Sequence, residues 1–427
     1  MGLSATLPED KQQALEKIGA AEIVFGIPTY NHAETIVTVV QAVQAGLRKY
    51  FPENKSLLIH SDGGSTDGTS ERVLEAAREE VSLLQIPYPA YPVQKLSAPY
   101  NGIPNKESAL RTLFQLAQSL EAKVCAVVSP DLQSITPDWV GSLVQPILEK
   151  GFDLACPCYS RSKYDGAITS GIVYPFLRSL YGKRIRDPLG EDLAFSQRFI
   201  NHCLAQDRWD REAARLGIEM WTLTEAICAG FPICQVWLGP KVHPSRNAAS
   251  DVSTVLAQIL GSLFLEMENK VGFWQKARVS AAVPVWGGRC EVVENPTPVD
   301  ITHMMTAFRL GYQTLQEIWG LLLPPATMLE LKKLANRSEE AFRLADAIWA
   351  RIVYDFALGH RLRVINRDHL LRSLTPLYLG WVASFILQTQ EVSPQQVEDR
   401  IETLCLAYES QKPYLISRWR WPDRFNP

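Results

Sequence analysis

Carboxylates follow three apolar runs early in the chain. Glu22 to Pro28 (EIVFGIP) leads into Thr29-Tyr30-Asn31-His32, with Glu34 close behind. Ser56 to His60 (SLLIH) leads into Ser61-Asp62-Gly63-Gly64-Ser65-Thr66-Asp67-Gly68-Thr69, and Lys123 to Val128 leads into Ser129-Pro130-Asp131. Acidic groups in such places repel a bare phosphate. They suit hydrogen bonds to a base or a ribose, and one of them can anchor a divalent cation that in turn holds a diphosphate. Neither G-x-x-x-x-G-K-[ST] nor a G-x-G-x-x-G after the first run occurs, so Walker-type phosphoryl transfer and a dinucleotide oxidoreductase are poorly supported.

Strands must hold these groups. The runs alternate with helical patterns over residues 34–50, 106–120 and 138–150, and residues 152–158 read as a further strand. That alternation predicts an α/β fold with a parallel sheet and crossover helices. Ligands in such a sheet bind beyond the carboxyl ends of the strands. The glycines after Asp62 allow a tight turn, and Thr69 or Ser70 can cap the next helix. From about Ala248 long helical patterns take over, at 252–274, 300–322, 338–357, 369–388 and 394–409, with breaks at Pro284, Pro296 and Pro324-Pro325. The boundary is expected near residue 245.

The 43 Lys and Arg against 46 Asp and Glu leave a net charge of −3, without the basic surplus that binding to a phosphate backbone needs, so no nucleic-acid partner is expected. No apolar run approaches the roughly 20 residues of a membrane-spanning helix. Residues 1–16 lack the basic start and apolar core of a signal peptide. The eight cysteines include no C-x-x-C pair and read as buried thiols rather than a disulfide framework or a zinc site. A cytoplasmic protein without a membrane partner is the expectation.

In their order and spacing, PTYN, SDGGSTDGT and the strand-end Asp131 resemble the nucleotide-sugar-dependent glycosyltransferases of the A-type fold. Later segments narrow the likeness: Arg161-Ser162-Lys163-Tyr164-Asp165-Gly166-Ala167-Ile168-Thr169, Arg186-Asp187-Pro188-Leu189-Gly190-Glu191-Asp192, Leu216-Gly217-Ile218-Glu219-Met220-Trp221 and Gly239-Pro240-Lys241-Val242-His243. The set is similar to the retaining mannosylglycerate and glucosyl(phospho)glycerate synthases, makers of compatible solutes. The resemblance implies an N-terminal extension over 1–20, a nucleotide-sugar-binding domain over 21–247 and a helical C-terminal domain over 248–427. It also implies a Mg2+ or Mn2+ held by Asp131 and His243, a donor site formed by Pro28, Tyr30, Glu34, Asp62, Lys106 and Asp131, and Glu219 beside the sugar or acceptor hydroxyl. Arg161, Asp165, Gly166, Ala167 and Thr169 would then hold an anionic acceptor, glycerate or 3-phosphoglycerate. Assembly as a homodimer or higher homo-oligomer is implied as well. Ser129 departs from the family, which carries Asp-x-Asp where this chain has Ser-Pro-Asp.

Each residue also has a plainer reading. Asp131 and Asp62 can cap turns, His243 can be a structural histidine, and Lys106 can be a solvated lysine at a helix start. Arg161 can pair with Asp165 on the surface, Trp221 can be core, and Glu191 and Asp192 can be helix-start carboxylates favoured by the dipole. Two rival functions stay open: an inverting transferase for polysaccharide or glycolipid, and a nucleotide-sugar-binding protein without turnover.

Overall fold

The computed structural model describes residues 9–77, 82–88, 103–207, 209, 217–242, 252–288, 292–293 and 299–422. The chain forms two compact units. The first comprises Met1–Ser160, Asp187–Ala249 and Val283–Cys290; the second comprises Arg161–Arg186, Ser250–Ala282 and Glu291–Pro427. A single cut after residue 247 therefore does not describe the chain. Residues 161–186 join the helical unit, and 283–290 return to the sheet.

The strands in chain order are β1 (Ile23–Thr29), β2 (Ser56–Asp62), β3 (Ser82–Pro87), β4 (Val124–Val127), β5 (Leu154–Ser162), β6 (Lys183–Arg184), β7 (Leu193–Ser196), β8 (Ile233–Pro240), β9 (Ala281–Ala282), β10 (Val285–Trp286) and β11 (Val292–Val293). The sheet of the first unit runs β10-β8-β5-β7-β4-β1-β2-β3. The expected parallel pairing holds at β1 with β2 and β4, and at β5 with β8. It fails at β7, which lies antiparallel between β4 and β5. Its apolar stretch, Leu193 to Phe195, is too short to announce a strand by pattern.

β1 is buried along its whole length, as a strand covered on both faces must be. Ile36–Tyr50 is helical although it opens on Ile-Val-Thr-Val-Val, a β-branched run of low helix propensity. Burial overrides propensity here: Val39, Val40, Val43 and Leu47 recur at helical spacing in one core with Trp139, Val140, Leu143 and Ile147 of the helix Pro137–Lys150. The two helices touch closely at Gly46, where a Cβ would lie 2.6 Å from Val140.

The second unit is mainly helical, with several departures from expectation. Residues 338–345 are turn and extended chain, not helix; the helix is Asp346–Leu362. Phe342 and Leu344 are buried there, and Ser384 Oγ accepts from the Leu344 N–H, so tertiary partners replace the helical ones. The helix expected at 369–388 divides into Arg367–Ser373 and Thr375–Thr389 at Leu374. By length and composition the span Arg367–Thr389 is apolar enough to cross a membrane, against expectation, but 72% of its apolar window is buried inside the protein. Pro394–Arg420 continues eleven residues beyond the expected end at 409, through Pro413.

Among the described residues six cysteines are free, five of them buried, but Cys158 is disulfide-bonded. The all-thiol reading is corrected there, because disulfide pairing depends on which Cβ atoms the fold brings together, not on sequence spacing.

In the second unit Thr169–Val173 is a π-helix, a form whose wider ladder leaves carbonyls for other donors. The Gly171 carbonyl accepts from Trp349 Nε1 at 2.9 Å and from Tyr408 Oη at 3.1 Å. A Cβ at Gly171 would lie 2.2 Å from the Trp381 ring, which stacks on Trp349 and Phe385 and has no room to retreat. Gly171→Ala is expected to destabilise by about 3 kcal/mol through overpacking. Gly272→Ala, with open space at its Cβ, should instead be neutral or stabilise by up to about 1 kcal/mol. Urea unfolding monitored by circular dichroism compares the two.

Candidate functional site

The carboxyl ends of β1, β2 and β4 carry the loops that the sequence singles out. Thr29 closes β1 and Asp62 closes β2, opposite each other in register. Thr29 Oγ1 donates to Asp62 Oδ1 at 2.9 Å and meets His60 Nε2 at 2.8 Å, while Gln85 Nε2 lies 3.3 Å from His60 Nδ1. Asp62 Oδ2 accepts from the N–H groups of Gly64 and Ser65, and Ser65 Oγ donates to Oδ1. Four donors fill the acceptor capacity of that carboxylate, so Asp62 builds the turn that faces the first loop. The helix after this turn starts at Thr69 with Gly68, at φ 88°, in the cap position. Asp67 takes the capping role expected of Thr69, accepting from the Thr69 N–H and from Ala33 N.

Glu34 is exposed in the turn before Ile36, Tyr30 is half-buried, and Pro28 is buried within β1. Thr35 Oγ1 donates to the Pro130 carbonyl at 2.8 Å, which ties the first loop to the residue before Asp131.

Beyond β4 the structure gathers buried charge. Asp131, Glu191, Asp192 and Glu219 are all buried carboxylates, and Lys106 is a buried ammonium. Lys106 Nζ lies 2.6 Å from Glu219 and 3.1 Å from Glu191. Burial alone would lower the pKa of Lys106, but the two carboxylates outweigh it and hold the pKa above the ordinary lysine value. Lys241, just past β8, lies 3.4 Å from Asp192 and 4.0 Å from Glu191, with its ammonium 4.9 Å from the centre of the Tyr159 ring. Tyr159 Oη donates to Asp192 Oδ2, the oxygen that Lys241 also reaches.

Ser129 sits at the centre. Its N–H donates to Asp192 at 2.8 Å, and its hydroxyl lies 2.7 Å from Asp131 Oδ1 and 3.1 Å from Glu191 Oε2. One hydroxyl proton is thus shared between two carboxylates that would otherwise repel. An Asp at 129 would add a third charge at the same contact, which gives the departure from Asp-x-Asp a physical reason.

Lys106, Glu191, Glu219 and Pro28 line one cavity of about 10 Å3, room for a single water. Lys106 is therefore not a solvated helix-start lysine, although it does begin the helix Lys106–Ser119. Glu191 and Asp192 precede strand β7, so the helix-start reading is corrected. Lys241 and Tyr159 were not singled out as site residues by sequence. The Lys in Gly239-Pro240-Lys241 following an apolar strand was the available signal. Trp221 is fully buried against Trp209.

His243 lies outside the described residues. Its neighbour Val242 is pinned to the Asp131 loop: Gln133 N donates to the Val242 carbonyl at 2.8 Å, and Val242 N donates to Ser134 Oγ at 2.9 Å. Among the described residues no group of three His, Cys, Asp or Glu side chains is arranged to hold a metal ion. Asp131 supplies one hard carboxylate donor of the kind that suits Mg2+ or Mn2+.

Arg161, Asp165, Gly166, Ala167 and Thr169 belong to the second unit. Arg161 lies over Gly166, where a Cβ would stand 3.3 Å from Nη1, and Gly166 has φ 67°. Asp165 is exposed, Ala167 half-buried and Thr169 buried at the head of the π-helix. Gly166 thus leaves space beside a guanidinium at the end of a strand.

No protein-family model and no curated protein matches the chain. Among solved structures, glucosyl-3-phosphoglycerate synthase from Mycobacterium tuberculosis is similar at 20% identity over 61% of this chain and 84% of that one, with a TM-score of 0.42. The same enzyme in complex with Mg2+ and uridine-diphosphate is similar at 20% identity over 58% and 82%, TM-score 0.41. Its complex with Mn2+, uridine-diphosphate-glucose and phosphoglyceric acid gives 20% over 60% and 84%, TM-score 0.40. Likeness of this degree assigns no function.

Lys106→Met removes the cation that bridges Glu191 and Glu219 and is expected to cost about 3–5 kcal/mol, the usual penalty for breaking a buried ion pair. Adding Glu219→Gln to it should restore part of that loss, measured as a double-mutant cycle by urea unfolding.

Burial pushes the His60 imidazole down to about 4, partly offset by the charge of Asp62. An unfolded chain titrates this group near its ordinary value of about 6.5, so it takes up a proton before the folded one does. Stability present above about pH 6.5 is then lost as the pH falls towards 4, by about 3 kcal/mol in all. His60→Gln should flatten the dependence of the unfolding free energy on pH across that window, and an unchanged slope would exclude His60 as its source.

Proposed function

We propose that this chain is a retaining, divalent-metal-dependent glycosyltransferase. It would move a hexose, glucose favoured and mannose the alternative, from a nucleoside diphosphate sugar to glycerate or 3-phosphoglycerate, giving a compatible solute such as glucosylglycerate. The observation that carries the reading is the pinning of Val242, the neighbour of His243, to the loop of Asp131 at the strand ends. The bonds join segments 108 positions apart (134 and 242) beyond the strand ends, the region where open α/β sheets bind ligands.

In this reading Asp131 and His243 hold the cation, which when bound supplies Lewis-acid stabilisation of the departing diphosphate. The chain's own residues do the rest. Thr29 and Asp62 shape the loop against which the base and ribose rest. Lys106 holds Glu219 in one place by their 2.6 Å contact, so that Glu219 can accept from a sugar or acceptor hydroxyl. Arg161 offers a planar fork to the acceptor carboxylate, with the space over Gly166 beside it. Positioning of acceptor against donor is then the main contribution, one that reaches roughly 7–11 kcal/mol in ideal cases. Ala167, with no charge of its own, favours the unphosphorylated acceptor.

Purified protein is to be assayed with UDP-glucose, GDP-glucose and GDP-mannose against glycerate and 3-phosphoglycerate, with and without chelator. Transfer should need both acceptor and metal, and the product's anomeric proton, followed by NMR, should keep the donor configuration. Asp131→Ala is expected to lower kcat by about a hundredfold or more, and Arg161→Ala to raise the acceptor KM at least tenfold. Nucleotide release independent of glycerate would overturn the acceptor assignment.

A further inference from the structure

The sequence ends its last helix on Arg418-Trp419-Arg420-Trp421, a run that the proposed chemistry does not use. The second unit splits it in two. Arg418 turns inward to Asp355 at 2.6 Å, and Trp419 is buried edge-on to Trp274 beneath the guanidinium of Arg361. Arg420 and Trp421 face the other way, and Trp421 is 61% exposed.

There they line a cleft of about 360 Å3 together with Gln275, Arg278, Ile416 and Ser417. That volume falls within the range of small-molecule sites. Among the described residues no carboxylate lines it. Arg420 Nη2 donates to Gln275 Oε1 at 3.3 Å, and among the described residues neither Arg278 nor Arg420 forms an ion pair. A third cation stands behind them: Lys412, buried, donates to the carbonyls of Ser179 and Ala277 at 2.7 Å. Burial first, and then the charge of Arg278, depress its pKa to about 8, with Glu409 offsetting part of the shift. Glu409, the acid nearest in sequence, is committed to Arg178 at 2.8 Å. Three positive charges share one region, where Glu409 offsets only part of the burial and repulsion felt by Lys412, an arrangement that a bound anion relieves. Paired guanidinium forks match phosphate oxygens, and an exposed indole offers an apolar face to whatever the phosphate carries.

We propose that this cleft of the second unit binds a phosphorylated small molecule. Its phosphate sits between Arg278 and Arg420 within reach of the Ser417 hydroxyl, and its organic part lies on Trp421. The site is separate from the donor and acceptor residues named above and does not depend on their roles.

Isothermal titration of the full chain with inorganic phosphate and with phenyl phosphate tests it. Both should bind, phenyl phosphate the more tightly and with a Kd of about 1 mM or below. Arg278→Gln/Arg420→Gln should weaken both at least tenfold while leaving the unfolding temperature without phosphate unchanged. Should the double variant fold poorly, each single variant is expected to weaken both probes about threefold or more. Trp421→Ala should bring phenyl phosphate to the affinity of inorganic phosphate. Absence of binding in the wild type, or undiminished affinity in the arginine variants, would overturn the site. Equal affinity of the wild type for the two probes would overturn its organic ligand.

Discussion

One buried ammonium, Lys106, held against both Glu191 and Glu219, sets the terms for the acidic end of the sheet. Four carboxylates are buried there within one network. Each would be expelled or neutralised without a partner, because taking a charge out of water costs several kcal/mol even after relaxation. Lys106 and Lys241 supply two charges, and the Ser129 hydroxyl and N–H and the Tyr159 hydroxyl supply neutral donors. Two ammonium groups against four carboxylates leave the network acidic on balance. An acidic residue at 129 would tip it further, so the serine is part of the same constraint.

That network also explains why separate loops converge. Ser129 ties the β4 exit to Glu191 and Asp192 ahead of β7, and Lys241 brings in the end of β8. Thr35 reaches across to Pro130, and the Thr29–Asp62–Ser65 bonds lock the turn after β2. Side chains from distant stretches thus reach one place because each satisfies a polar group that burial would otherwise leave unpaired.

The second unit answers the same demand differently. Its longest helix, Pro394–Arg420, presents Glu398, Glu402 and Glu409 to Arg186 and Arg178, with Lys412 on the carbonyls of Ser179 and Ala277. Spacings of four, seven and three residues keep these side chains on one face. They grip the segment 170–186, whose π-helix leaves the Gly171 carbonyl to Trp349 and Tyr408. The segment 170–186 is therefore anchored by side chains that follow it by 178 to 237 positions.

From sequence alone, the alternation of apolar runs with helical patterns was enough for the α/β class, and β1, β2 and β4 were legible because buried parallel strands read as continuous apolar stretches. The helical character after residue 250 was legible for the same kind of reason, since periodicity is local. Asp131 stood out by its place at a strand end, and Glu219 only through the family resemblance. Only tertiary structure decided that β7 runs antiparallel, that 161–186 belong with the helices, that Cys158 does not stay a thiol, and that Lys106, Glu191, Asp192 and Lys241 share one charge network. Those outcomes turn on which groups meet when the chain closes on itself, and partners 49 to 113 positions apart (192 with 241, 106 with 219) leave no periodic trace in the order of residues.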